Sequence, residues 1–188
     1  MLRSVALADE LQRIAAAAAT HAAEDEELAG ILAAEPSKGT RIYLCAFSGG
    51  NGKRAWLAVD GEGVPVQERR AVREAVSIAA LCELAADTAG GGQLEELRNE
   101  LVAVRLRENP PGIDEAEDAA LALERIVGDE PRLATPLLLD EVGAAVRRLE
   151  QALGDVGGSP FSAAMQSGMA AVDSLTVEVE AGYKVDLS

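Results

Sequence analysis

With 188 residues, 19.5 kDa, 48% hydrophobic and 26% charged residues, the chain is the size of an ordinary domain and can bury a real core. Seventeen Lys and Arg against 32 Asp and Glu leave a net charge of −15, which argues against coating nucleic acid or docking on an anionic membrane surface. One histidine and two cysteines are too few for a structural zinc site or a di-iron bundle.

Residues 1–36 read as an N-terminal helix. From Ser4 to Ala34, Leu7, Leu11, Ile14, Ala18, His21, Leu28 and Leu32 recur at helical spacing, and Pro36 and Gly39 end the pattern. Asp9, Glu10, Gln12 and Arg13 interrupt the Ala-rich start, so it does not read as a secretory leader. Further on, the longest uncharged stretch, 156–172, is too short and too polar to span a bilayer. Cys45 and Cys82 form no CxxC and lie on apolar segments, as buried thiols do. Together these features predict a cytoplasmic protein.

The clear β signal covers 41–66. Arg41–Phe47 and Arg54–Asp60 are rich in aromatic and branched residues, and SGGNGK between them supplies turn residues. Val64-Pro65-Val66 can add a short edge strand. The expected register sets Phe47 against Arg54, Cys45 against Trp56 and Arg41 against Asp60. Tyr43, Cys45, Phe47, Arg54 and Trp56 then share one face, and Ile42, Leu44, Ala46, Ala55, Leu57 and Val59 share the other.

From 67 to 183 helices dominate. AVSIAALCELAA is apolar nearly all round and predicts a central helix over 68–88, stopped by Gly90-Gly91-Gly92. Leu94, Leu97, Leu101 and Val104 stripe the next helix. Asp114 and Glu117 stand at capping-box spacing before a third, and Thr135-Pro136 opens a fourth. Ser159-Pro160 opens the last, striped by Phe161, Met165, Met169, Val172, Leu175, Val179 and Tyr183. Leu175 to Glu180 also alternates like a strand, with helix the preferred reading. The predicted fold is mainly α within the α+β class. It is a single domain, 1–188, with a bundle of five to six helices and one antiparallel β-hairpin after the first.

Catalytic motifs are missing. SGGNGKR departs from a phosphate loop at Phe47 and Arg54, and its lysine leads into a strand. His21 has no GxSxG to serve. Glu83 interrupts the apolar run of the central helix and would be perturbed if buried; the plainer reading pairs it with an arginine such as Arg73. No catalytic residue, metal site or cofactor is expected.

Two features rise above this background. Residues 38–73 carry seven Lys and Arg against three Asp and Glu in an otherwise acidic chain, so their cations either meet the protein's own carboxylates or hold an anion. Three of the five aromatic residues lie on the hairpin. The expected function is a non-enzymatic protein–protein interaction or assembly module. It would self-associate as a homodimer through or near the hairpin, or contact another protein, with Tyr43, Phe47, Arg54, Trp56, Arg73 and Glu83 as the ligand or interface candidates. The alternative is a binding domain or enzyme for a small anionic ligand, with a pocket between hairpin and central helix.

Overall fold

The computed structural model describes residues 2–50, 52–90, 93–128, 132–154 and 172–188. In chain order the elements are α1 (Leu2–Ala19), β1 (Glu26–Ser37), β2 (Thr40–Gly49), β3 (Arg54–Val59), α2 (Arg69–Gly90), α3 (Gln93–Arg107), α4 (Ile113–Val127), β4 (Leu133–Ala134), α5 (Pro136–Gly154) and a helix, α6, over 172–181. The class is α+β, but the β part is a four-stranded mixed sheet in the order β3-β2-β1-β4 and not a single hairpin. The expected start at Ser159-Pro160 lies outside the described residues.

The expected N-terminal helix over 1–36 forms only in its first half. The helix stops at Ala19, where Thr20, His21 and Ala22 donate to the carbonyls three residues back and tighten the last turn. A second turn follows, in which Glu26 N–H donates to Ala23 O while the Glu26 carboxylate accepts from Ala23 N–H. The chain then runs on as β1. Gly30 lowers helix propensity by about 1 kcal/mol relative to Ala, and β2 offers apolar partners at Leu28↔Phe47, Ile31↔Cys45, Leu32↔Leu44 and Ala33↔Tyr43. Pro36 and Gly39 flank a hairpin corner instead of ending a helix, with Ser37 opposite Thr40 and Gly39 at φ 82°.

The β2–β3 register also differs from expectation by one residue. Ser48 faces Arg54, Phe47 faces Ala55, Ala46 faces Trp56 and Cys45 faces Leu57. Gly49 N–H donates to Lys53 O across the turn, and Gly52 takes φ 74°. Tyr43, Cys45 and Phe47 therefore share their face with Leu57 and Val59, while Trp56 lies on the other. The physical reason is burial: the expected register would have put the Arg54 charge beside Phe47 in the core. The predicted third strand is reduced to a bridge between Val59 and Pro65.

The chain divides into two compact units. The first comprises Met1–Ala80, Pro131–Pro136 and Ala171–Ser188 and contains the whole sheet. Leu7, Leu11, Ile14 and Ala18 of α1 pack on Ala33, Tyr43, Cys45, Phe47, Leu57 and Val59. On the opposite face Ile42, Leu44, Trp56 and Ala58 are buried, and so are Val72, Ala75, Val76 and Ala79 of α2 and Val179 of α6 in the same unit. Both faces of the hairpin are thus filled within one chain.

The second unit comprises Leu81–Glu130 and Leu137–Ala170. Its core is led by Leu94 and Leu101 of α3, on the stripe expected for that helix, with Ile113, Ala116, Ala120 and Leu123 of α4 and Val142, Val146, Leu149 and Leu153 of α5. Pro136 opens α5 as read from the sequence. The acidic capping box does not form. Gly112, at φ 88°, is the residue before α4 and makes no side-chain cap, and Asp114 and Glu117 both bind Arg105 of α3.

Candidate functional site

The predicted residues do not assemble into one site. Tyr43 and Phe47 are fully buried on the α1 face. The Tyr43 hydroxyl lies beside Glu10 and Arg41, and burial pushes its pKa up to about 12. Trp56 is 5% exposed on the opposite face, and its indole Nε1–H donates to Glu178 Oε1 at 3.3 Å. The same carboxylate oxygen stands 3.9 Å from Nη1 of Arg54, whose side chain is 63% exposed. Arg54 and Trp56 are therefore joined through Glu178, a residue the sequence did not single out.

Arg73 pairs with Glu180 and not with Glu83. Arg69 and Arg73, one turn apart on α2, each present a guanidinium fork to the Glu180 carboxylate. The two arginines hold that carboxyl down to about 2. Glu83 is half-buried on α2, in the other unit, and is not unpartnered. Arg41 donates to Glu10 and Glu35, and Arg70 to Glu74. The basic segment thus finds much of its counter-charge inside the protein.

The segment after α6 completes the sheet at β3. Trp56 N–H donates to Gly182 O at 2.9 Å, and Lys184 N–H donates to Trp56 O at 3.0 Å. The Tyr183 hydroxyl accepts from Ala58 N–H and donates to Val66 O, both at 2.8 Å, and burial pushes its pKa up to about 12. Lys184 is only 15% exposed. Its Nζ bonds Glu26 and His21 O and stands 4.2 Å from the centre of the Phe47 ring. His21 contributes its carbonyl here, and its side chain is exposed at the end of α1. Burial also pushes the Cys45 thiol up to about 12, so it stays protonated and is a poor nucleophile.

No family model matches the chain, and no curated protein or solved structure matches it.

Two surfaces of the first unit stand out. The first is a shallow groove of about 530 Å³ lined by Gly52, Lys53, Arg54, Glu178, Ala181 and Gly182, with two cations and one carboxylate. The second is the outer edge of β1, which sequence reading missed by assigning these residues to a helix. Among the described residues, that edge has a strand neighbour only at Ala33 and Ala34, which pair with Leu133 and Ala134 of β4. Glu27, Ala29 and Gly30 are exposed, and Leu28, Ile31 and Leu32 are half-buried. Neither Lys nor Pro blunts the stretch 27–32, although Ala29 forms a bulge against β2. No local signal reveals it, because Leu28, Ile31 and Leu32 also stand at helical spacing. Among the described residues, no group of three or more His, Cys, Asp or Glu is placed to hold a metal ion, and no helix is long and apolar enough to cross a membrane.

Proposed function

We propose that the chain is a non-enzymatic protein–protein interaction or assembly module whose contact surface lies beside the hairpin, at the outer edge of β1. One observation carries the reading: among the described residues, six consecutive strand residues, 27–32, have no strand neighbour on the side away from β2, and the half-buried Leu28, Ile31 and Leu32 lie along that edge. An extended segment laid along such an edge gains main-chain hydrogen bonds from the backbone and specificity from alternate side chains. The hairpin faces are not available for this purpose, because Tyr43, Phe47 and Trp56 are spent on the monomer's own interior.

A labelled synthetic peptide with the sequence of residues 26–33 tests the module without reference to its natural partner. It should bind, and it should slow hydrogen exchange at the amides of 27–32. Absence of both effects would remove the edge as a contact surface.

The second reading is an anion site in the Lys53–Arg54 groove. It is the weaker one, because Glu178 already stands against Arg54 and would have to be displaced. Inorganic phosphate that raises the melting temperature, and fails to do so in Arg54→Ala, would favour it.

A further inference from the structure

We infer that the occupant of the β1 edge is β1 of a second copy, paired antiparallel about a two-fold axis at the Ala29–Gly30 peptide. The inference rests on the interaction-module reading and adds a partner and a register. In a regular strand, residues of opposite parity point to opposite faces, so a self-pairing centred between two residues would oppose mismatched side chains. The bulge in β1 changes that count. Leu28 and Ile31 lie on the same face, toward α1, because their partners Phe47 and Cys45 do. Glu27 and Leu32 lie together on the other face, opposite Ser48 and Leu44.

Centring the axis on the Ala29–Gly30 peptide therefore matches faces over 27–32, and the pairing ends there because β4 holds the edge at Ala33 and Ala34. Leu28 meets Ile31 of the second copy twice, extending the α1-side core across the axis, and Glu27 meets Leu32. The small residues Ala29 and Gly30 meet at the centre, where two backbones approach most closely. Charge agrees with this register, since no carboxylate opposes another. The two Glu27 residues stand about 15 Å apart along the strands, beyond the roughly 10 Å screening length at 0.1 M salt. Closure agrees as well. The two-fold contact uses the same edge on both copies, and the opposite edge of the sheet, β3, is bridged at Trp56 by Tyr183. The assembly stops at two.

The test is molar mass by light scattering across a micromolar concentration series, on the wild type and three variants. The wild type should approach twice 19.5 kDa. Leu32→Glu should dissociate to the monomer, because it sets Glu27 of the second copy against a like charge. Leu32→Lys should retain the dimer, since the same position now offers Glu27 an opposite charge. The double variant Glu27→Lys with Leu32→Glu should recover it. Circular dichroism melts confirm that each variant folds. Loss of the dimer in both Leu32 variants would overturn the register. A wild-type monomer at every concentration would overturn the second copy as partner, and peptide 26–33 binding to that same monomer would leave the module reading standing.

Discussion

Each of the two units of this chain has its own kind of internal contact. In the second, the core of α3, α4 and α5 is aliphatic, built from Leu, Ile, Val and Ala at helical spacing. In the first, Tyr43, Phe47 and Trp56 are fixed by strand register, and Trp56 and Tyr183 are tied by specific polar bonds. An aliphatic helical core is tolerant, because neighbouring side chains can exchange volume. A sheet core built on register is not, since each aromatic sits opposite one residue and no other. The first unit should therefore fail sharply on single substitutions that the second would absorb.

The largest effect should come from Trp56→Ala, which empties a buried site and removes the bond to Glu178; urea unfolding should show a loss of about 3–5 kcal/mol. The counterpart in the second unit, Leu149→Met at a fully buried position, should cost under about 1.5 kcal/mol. Equal costs would break the comparison. Next in size is Tyr183→Phe, which keeps the ring but orphans the bonds to Ala58 N–H and Val66 O; it should cost about 1–3 kcal/mol in the same assay.

The smallest effect is acid sensitivity of the first unit, read from the fluorescence of Trp56, the only tryptophan. Glu180, Glu26 and Glu35 all titrate below their ordinary value of 4.5: Glu180 through hydrogen bonds from Arg69 and Arg73, Glu26 through those from Ala23 N–H and Lys184, and Glu35 through those from Gly39 N–H and Arg41. Their folded-state pKa values are depressed, so their contribution is complete above pH 4.5 and is lost as pH falls, toward about 2 for Glu180. Glu180→Gln should flatten that slope, and an unchanged slope would sharpen the comparison by assigning acid sensitivity to Glu26 and Glu35.

The same contrast explains what the sequence made legible. Helical stripes such as Leu94-Leu97-Leu101 and Val142-Val146-Leu149 are local patterns, and α3 and α5 lie where such patterns put them. The hairpin strands were also readable, because branched and aromatic residues cluster at 41–47 and 54–60. β1 was not. Its Leu28 and Leu32 fall at helical spacing by coincidence, and only the distant partners in β2 decide otherwise. The β2–β3 register turned on a single residue of turn length that SGGNGK does not encode by composition alone. Of the candidate site, the arginines were found but their partners Glu178 and Glu180 were not, because those pairings span more than 100 residues; Arg73 and Glu180 are 107 apart. The open edge of β1 could not be seen until β1 itself was recognised as a strand.

The Tyr183 anchor also has a consequence for how the chain is made. The hydroxyl that joins Ala58 is 125 residues distant from it in sequence, and the whole second unit is encoded in between. On the ribosome, β1 to β3 emerge early and must wait for residues 182–184 before the β3 edge is bridged. During that interval the β3 edge of the nascent sheet is unbridged, and it is then that its pairing with another nascent chain is most accessible. Closing so long a loop is slow compared with forming helical contacts of the α3–α4 kind. The first unit, although it begins first, is the one that finishes last.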